Sequence, residues 1–371
     1  MPKCNILENH ACITVSGYWR PCCRFNEKVI PWQEKMHVNN FTFDQWRNSK
    51  IYNQIKLDQK NGWHEGCLPC KIAEDTGNSS TRLIFNKRLS GDKDTVEYIE
   101  ISLSNECNLA CKMCGSWASS TWNDIVNNNK VDLQDFHKPH NHSEIDVEKI
   151  FSNMDLSNLK TIKLLGGEPF ITPQTNDFFK YLDKIGILEK IELMTSTNAT
   201  FFPKKLISYL EKVKSISMSL SIDGLQDINN YVRYKSDWQT FDKVVDNWIY
   251  FFKDRKDKKA LKLSSIINAY NVHQILDLHD YADGKNLIFI FNIINGPDYL
   301  KLEALPESYV NYIKDSFKDK ENAKPILNYF NMVKLNNELR NKLKIYTEKL
   351  DRITGLYLNQ CNPILYNNLF N

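Results

Sequence analysis

Three cysteines in one short segment are the residues of this sequence best suited to chemistry. Cys107, Cys111 and Cys114 are spaced C-x3-C-x2-C, directly after an alternating apolar run at residues 98–103. Thiolates are the ligands of iron–sulfur clusters, and a loop that leaves a strand can bring three of them to one face of a cluster. Four ligands close a structural metal site, whereas three leave one position open for a substrate. On spacing alone, a zinc knuckle or three buried free thiols are open alternatives.

Glycine and polar residues stand where the following predicted strands end. Residues 166–169 read Gly-Gly-Glu-Pro, and two glycines let a backbone approach a ligand without an obstructing Cβ atom. Glu168 in this stretch supplies an acceptor for an ammonium group. Ser221 ends another predicted strand and Arg233 follows it, and a guanidinium offers the donor fork that suits a carboxylate. Each motif alone could be a turn or a surface residue, yet all of them fall at strand ends.

Composition describes an ordinary globular chain. It has 371 residues, 42% hydrophobic and 25% charged, with a net charge of +3, which predicts two domains or one large domain with an appendage. This small charge gives no field that would attract nucleic acid or a membrane surface, and no apolar run approaches membrane-spanning length. The first residues lack the apolar core of a signal peptide. Ten cysteines in such a chain predict metal ligation in a reducing compartment, so we expect the cytoplasm.

Apolar strands alternate with amphipathic helices from about residue 96 to residue 297. This order predicts an α/β fold with a parallel sheet and right-handed crossovers, partly closed like an incomplete (β/α)8 barrel with six strand–helix units. The predicted strands cover residues 98–103, 161–165, 191–194, 215–221, 262–267 and 287–294. The predicted helices cover residues 176–185, 203–212, 241–252 and 272–282, and three more follow at 307–319, 324–335 and 337–351.

The N-terminal segment carries a second set of thiols. Alternation on both sides of Gly17 predicts a β-hairpin, a helix is expected near residues 43–57 from the cap region at Thr42, and a C-x2-C pair follows. Four cysteines could complete one coordination sphere, for which zinc and an iron–sulfur cluster both fit. They are Cys4, one of Cys22 and Cys23, Cys67 and Cys70.

Position favours Cys22 over Cys23 as the ligand in this set. Cys12 and Cys361 are interpreted as packed thiols. The polar stretch at residues 89–95 predicts a linker, so the expected domains are residues 1–90, 91–300 and 301–371. The insert at residues 118–146 contains three histidines and is interpreted as a lid or a solvated loop, with surface histidines favoured over a metal site. They are His137, His140 and His142.

Taken together, the cysteine motif and the Gly-Gly-Glu-Pro motif resemble the radical S-adenosylmethionine (SAM) enzymes. The resemblance implies that Cys107, Cys111 and Cys114 bind a [4Fe-4S] cluster whose open iron chelates SAM, within a partial barrel of the radical SAM type. Ala199 departs from the family pattern, which often has glycine there. The residues that the resemblance assigns to SAM binding are Met113, Gly166, Gly167, Glu168, Pro169, Asn198, Ser221 and Arg233.

The N-terminal layout resembles the twitch or SPASM-type auxiliary-cluster module of the same enzymes, with Trp46 in its helix. In most such enzymes the module follows the barrel, whereas here it precedes it. The resemblance implies an auxiliary [4Fe-4S] cluster on Cys4, Cys22, Cys67 and Cys70.

The implied function is an enzyme that reductively cleaves SAM to a 5′-deoxyadenosyl radical, which then abstracts hydrogen from an unidentified substrate. A peptide or protein and a sugar or small metabolite are the open substrate classes, and a polyanionic nucleic acid is not expected. The implied partner is an electron donor such as flavodoxin or ferredoxin. The alternative is a non-catalytic zinc- or cluster-binding scaffold protein.

Overall fold

The computed structural model describes residues 3–92, 95–140 and 144–371. The strands in chain order are β1 (His10–Ile13), β2 (Trp19–Arg20), β3 (Tyr98–Ser102), β4 (Ala110–Cys111), β5 (Thr161–Leu165), β6 (Glu192–Thr197), β7 (Ser215–Ser221), β8 (Arg233–Tyr234), β9 (Leu261–Ile267) and β10 (Ile288–Ile293). The helices are α1 (Ile6–Asn9), α2 (Phe43–Arg47), α3 (Lys50–Asn61), α4 (Leu68–Asp75), α5 (Thr81–Asn86), α6 (Ser120–Asn128), α7 (Lys130–Leu133), α8 (Val147–Phe151), α9 (Pro173–Lys184), α10 (Ile207–Lys212), α11 (Gln226–Val232), α12 (Trp238–Phe252), α13 (Ile275–Gly284), α14 (Glu307–Ser316), α15 (Lys324–Met332), α16 (Asn337–Thr354), α17 (Leu358–Cys361) and α18 (Pro363–Phe370).

The chain divides into two compact units. The first consists of Met1–Glu106, Asn141–Thr195 and Pro203–Ser217, and the second of Cys107–His140, Ser196–Phe202 and Met218–Asn371. The three domains expected from the sequence stay a prediction.

The first unit contains a mostly parallel sheet. β1 pairs antiparallel with β2 around the turn at Gly17, which confirms the predicted hairpin. β1 also pairs parallel with β3, β3 with β5, and β5 with β6. The hairpin therefore extends the sheet, which the sequence did not predict.

Alternation along β5 shows how this sheet forms its core. Ile162 and Leu164 are fully buried, while Lys163 between them is half-buried, as the two-residue period of a strand requires. Phe151 and Phe178 are also fully buried, and their ring centroids lie 5.0 Å apart, so that they pack α8 against α9.

The second unit continues the parallel pattern. The last residues of β7 pair parallel with β9, and β9 pairs parallel with β10, while β4 and β8 form a short antiparallel ladder. The fold class is α/β with parallel strands and intervening helices, as predicted, and is consistent with a partial TIM-like barrel. In the described part of the chain, no helix is both long and apolar enough to cross a membrane.

The predicted helix at residues 43–57 is wrong as a single element, because it divides into α2 and α3. The expected cap at its start is present, since Thr42 and Gln45 form a capping box. The chain then leaves helical geometry at Asn48, and the Ser49 hydroxyl accepts a hydrogen bond from Tyr52 N at 3.2 Å, which begins α3. A serine cap inside an amphipathic run thus ended one helix and started another.

Candidate functional site

The three cysteines of the C-x3-C-x2-C motif lie in one loop of the second unit. Cys111 is buried and belongs to β4, where it pairs with Arg233 of β8, whereas Cys107 and Cys114 are half-buried. The amide of Cys107 donates to the Ser120 hydroxyl at 3.1 Å, and the hydroxyl of Thr121 donates to the Cys107 carbonyl at 2.7 Å. The start of α6 therefore holds one end of the loop, and the short ladder holds its middle.

Hydrogen bonding and charge favour a thiolate at Cys111. A hydrogen bond from the Cys114 thiol lowers the pKa of Cys111, and the positive charge of Arg233 lowers it further, although burial opposes both. The same hydrogen bond raises the pKa of Cys114. Because thiolates are the ligands of iron–sulfur clusters, these residues fit a [4Fe-4S] cluster.

Arg233 forms a buried ion pair beside this thiolate. Its Nη1 lies 2.6 Å from Asp223 Oδ2, and the other carboxylate oxygen accepts from Ile266 N at 2.8 Å. The Asp223 carboxylate therefore holds the guanidinium and is itself held by the backbone of β9. Burial alone would lower the pKa of Arg233, but the negative charges at Cys111 and Asp223 raise it above its usual value. Ser221 is half-buried at the end of β7.

Asn198 is the predicted nucleoside-binding residue that the structure places beside a cysteine. Its Nδ2 lies 3.8 Å from Cys107 Sγ and 2.9 Å from Asn108 Oδ1. The next residue, Ala199, has φ +53°, a left-handed conformation that glycine adopts without strain. This explains in physical terms why a glycine is usual at that position in the family that the sequence resembles.

The Gly-Gly-Glu-Pro stretch lies in the first unit, against the three residues that lead to Cys107. A Cβ atom on Gly166 would stand 2.6 Å from the Ser104 carbonyl oxygen, and one on Gly167 would stand 2.3 Å from that of Glu106. The amide of Gly167 donates to the Ser104 carbonyl at 2.9 Å. Glu168 is buried and accepts from Phe170 N at 3.2 Å through Oε1. Only glycine permits so close an approach of residues 166 and 167 to these carbonyl oxygens. Pro169 follows Glu168 in the chain.

Met113 and Cys114 contribute to a cavity of about 380 Å³ in the second unit. Trp117, His137 and Tyr299 also line it, so it combines a cysteine of the loop with aromatic walls. Polar side chains such as Lys138 and His140 also line it, and small-molecule sites combine aromatic walls with placed polar groups.

His137 is buried, so its interpretation as a surface histidine is wrong. Its ring stacks on Trp122 with centroids 4.2 Å apart, and its Nε2 lies 3.0 Å from the Tyr346 hydroxyl. Burial lowers its pKa to about 4. The surrounding insert forms α6 and α7, His140 is half-buried, and His142 lies outside the described residues.

The N-terminal thiols line a second, small cavity within the first unit. Its volume is about 20 Å³. The amide of Asn26 donates to the Gly66 carbonyl at 2.9 Å, which joins the end of the hairpin to the C-x2-C segment. Cys70 lies in the first turn of α4. The thiols that line the cavity are Cys4, Cys22, Cys67 and Cys70.

Burial raises the pKa of Cys4 and of Cys67 to about 12, and their negative neighbours add to the effect. Four thiolates repel one another in such a site unless a cation lies among them, and a bound metal ion or iron–sulfur cluster would supply that positive charge. Within the described ranges, no three His, Cys, Asp or Glu side chains converge closely enough to hold a single metal ion.

Three other cysteines belong to neither set. Cys23 forms a hydrogen bond to Glu100, and burial raises its pKa to about 11. Cys12 is buried in β1, in keeping with a packed thiol. Cys361 ends α17 with its Sγ 3.6 Å from the Leu358 carbonyl oxygen.

Residues 101–257 match the Radical SAM superfamily. A GTP 3',8-cyclase of Clostridium perfringens is 26% identical over 196 residues, covering 50% of this chain and 52% of the relative. TigE of Paramaledivibacter caminithermalis, a radical SAM cyclopropyl synthase, is 25% identical over 235 residues, covering 61% of this chain and 46% of the relative. These findings support the radical SAM superfamily. The chain spans about half the length of these two relatives.

Two solved structures also show a distant similarity to this chain. Streptococcus suis SuiB bound to S-adenosylmethionine has 17% identity and a TM-score of 0.34, over 60% of this chain and 45% of that one. Native anSMEcpe with bound AdoMet has 16% identity and a TM-score of 0.40, over 65% and 63%. The cofactors of the superfamily are a [4Fe-4S] cluster and SAM, and the Cys111–Arg233 arrangement fits a cluster on the three-cysteine loop.

Sequence reasoning missed Lys112, which the structure buries between two cysteines of this loop at 1% exposure. A signal was available in the C-terminal region. Asp351 falls on the same helical face as Leu343 and Tyr346, which are apolar positions of the predicted helix at 337–351. A charge on an apolar face predicts a buried partner of opposite charge.

Proposed function

We propose that this protein is a radical SAM enzyme whose SAM-binding [4Fe-4S] cluster is held by Cys107, Cys111 and Cys114. The observation that carries the proposal is the pairing of Cys111 with Arg233 across the β4–β8 ladder, in a loop that contains the other two thiols. A fixed guanidinium beside a thiolate stabilises the anionic ligand form. When bound, the cluster and SAM supply a 5′-deoxyadenosyl radical that abstracts hydrogen from the substrate.

The residues of the second unit have separate proposed roles around these cofactors. Arg233 and Ser221 bind the SAM carboxylate, with Asp223 fixing the guanidinium through the bond at 2.6 Å. Met113 and Asn198 bind the nucleoside. The roles implied for Gly166, Gly167, Glu168 and Pro169 stay predictions, which their hydrogen bonds to the segment preceding Cys107 support.

We further propose an auxiliary [4Fe-4S] cluster in a twitch-type N-terminal module. Four cysteines that line one cavity support it, and among the two neighbouring thiols at residues 22 and 23 it is Cys22 that faces the cavity. A full set of four thiolates leaves no open iron, so electron transfer from the substrate radical is the proposed role.

The substrate is proposed only as a class, either a peptide or protein, or a sugar or small metabolite. Named relatives differ in this respect, since one is a GTP 3',8-cyclase and another a cyclopropyl synthase. A flavodoxin or ferredoxin is the proposed electron donor.

Anaerobic reconstitution with iron and sulfide tests the proposal. The protein should hold about eight iron and eight sulfide per chain, as two cubane clusters require, and should release 5′-deoxyadenosine from SAM with a strong reductant. Cys111→Ala should abolish this release, while Cys23→Ala, which belongs to neither proposed ligand set, should leave it unchanged.

Zinc without sulfide in the purified protein would instead favour the scaffold alternative. Continued 5′-deoxyadenosine formation by Cys111→Ala would refute the assignment of the three-cysteine loop. Loss of about half of the iron in Cys22→Ala, but not in Cys23→Ala, is expected for the auxiliary site.

A further inference from the structure

Lys112, between the second and third cysteines of the motif, is buried without a conventional hydrogen-bonded partner. Only 1% of it is exposed, and its Nζ makes no hydrogen bond with any described residue. The ammonium lies 3.8 Å from the centre of the Tyr231 ring and 3.9 Å from Asp351 Oδ1. A buried ammonium is costly to desolvate, and a long ion pair recovers only part of that cost. Stability alone is therefore a poor reason for lysine at this position.

The backbone of Lys112 is fixed on both sides. Its amide donates to the Val232 carbonyl at 2.8 Å, and its carbonyl accepts from the Tyr346 hydroxyl at 2.8 Å. The carbonyl of the preceding residue, Cys111, accepts from Trp122 Nε1 at 2.8 Å. The carbonyl of Cys111 and both backbone polar groups of Lys112 are thus bound by protein.

Asp351, the acidic neighbour of Lys112, is itself held in place. Its Oδ1 accepts from the Tyr231 hydroxyl at 2.8 Å, and its Oδ2 accepts from Leu358 N at 2.8 Å. Tyr346 and Asp351 both belong to α16, which lies beyond the residues 101–257 that match the superfamily. The C-terminal helices therefore contribute directly to the environment of the three-cysteine loop.

We propose that Lys112 is a positioning residue, which together with Tyr346 and Asp351 of α16 sets the geometry of the loop between Cys111 and Cys114. This inference rests on the proposed cluster at that loop. Its consequence is that α16 forms part of the cluster site and is not an independent appendage. Groups that orient metal ligands commonly change metal affinity or activity about 10- to 100-fold when they are removed.

Electron paramagnetic resonance of the reduced, reconstituted protein provides the test. The signal of the cluster proposed at the three-cysteine loop is the part of the wild-type spectrum that is missing in Cys111→Ala. This signal is followed during a titration with SAM, and its change gives the SAM concentration at half-saturation. In Tyr346→Phe, which deletes one hydroxyl, and in Lys112→Met, which removes the charge but keeps an unbranched side chain that is one atom shorter, this concentration should rise about tenfold or more.

Tyr309→Phe is the matched control, because Tyr309 is equally buried and its hydroxyl accepts from Asn362 Nδ2 at 3.0 Å without contacting the loop. It should titrate with SAM like the wild type. Thermal unfolding of each variant is measured in parallel, and if Lys112→Met does not fold, Tyr346→Phe decides.

If Lys112→Met and Tyr346→Phe both show the half-saturating SAM concentration of the wild type, whatever their thermal stability, the positioning role is overturned. The proposed function would then remain intact. A wild-type protein without any signal that depends on Cys111 would instead overturn the proposed function.

Discussion

Replacing His137 with phenylalanine should make the stability of the protein less sensitive to acid. The imidazole is 7% exposed and stacks on Trp122, so burial lowers its pKa from 6.5 to about 4. Phenylalanine keeps the stacking surface but cannot bind a proton. The variant also loses the contact with the Tyr346 hydroxyl, which lowers stability by a similar amount at every pH.

The sign and size of the effect follow from proton linkage. Between pH 6.5 and pH 4 the unfolded chain binds a proton at this position and the folded chain does not, so stability rises with pH in that window. The contribution of His137 is complete above pH 6.5 and declines as the pH falls toward 4. Between pH 7.5 and pH 4.5 the loss is about 2 pKa units, or about 2.7 kcal/mol.

Urea unfolding of the apoprotein under anaerobic conditions, followed by tryptophan fluorescence, measures this effect at the two pH values. The free energy of unfolding of the wild type should fall by about 2.7 kcal/mol more than that of His137→Phe. All other titrating groups are common to both proteins and cancel in the comparison. Equal losses in the two proteins would show that His137 is not held neutral by burial, and would refute the reasoning.

Three further substitutions test the backbone and charge arguments. Ala199→Gly should raise the free energy of unfolding by up to about 1 kcal/mol, because φ +53° strains alanine, and the urea midpoint measures it. Gly167→Ala should cost about 1–3 kcal/mol and reduce iron retention, because its Cβ would stand 2.3 Å from a carbonyl oxygen; Gly284→Ala, with nothing within 4 Å, is the control. Asp223→Asn should cost about 3–5 kcal/mol, since it leaves the buried Arg233 charge unpaired, and an unchanged urea midpoint would contradict the ion-pair argument.

Local patterns made much of the fold predictable. The predicted strands at 161–165 and 215–221 coincide with β5 and β7, because their alternating residues have the period of a strand with one face toward the core. Two predictions failed, one because a local cap was overlooked and one because the pairing depends on residues that are distant in sequence. A Ser49 cap divided the predicted helix at 43–57, and the parallel pairing of β1 with β3 joins residues far apart in sequence.

The same distinction applies to the candidate site. The spacing of residues in the sequence motifs identified the side chains that are predicted to contact the cofactors, because such motifs depend only on residue types and on short intervals along the chain. The groups that hold those residues, such as Asp223 for Arg233, became visible only in three dimensions. Their partners are chosen by burial, and burial depends on which elements pack together.

Lys112 shows how far this dependence extends. Its position between two cysteines suggests nothing by itself, whereas Asp351 on the apolar face of a helix predicts a buried cation without saying which one. The structure joins the two at 3.9 Å. In some proteins a buried charge pair that costs free energy fixes a geometry that an apolar contact would leave loose. For the cluster proposed at the three-cysteine loop, that geometry would present three thiols and keep one iron open, and on this proposal the C-terminal helix and the cysteine motif are parts of a single site.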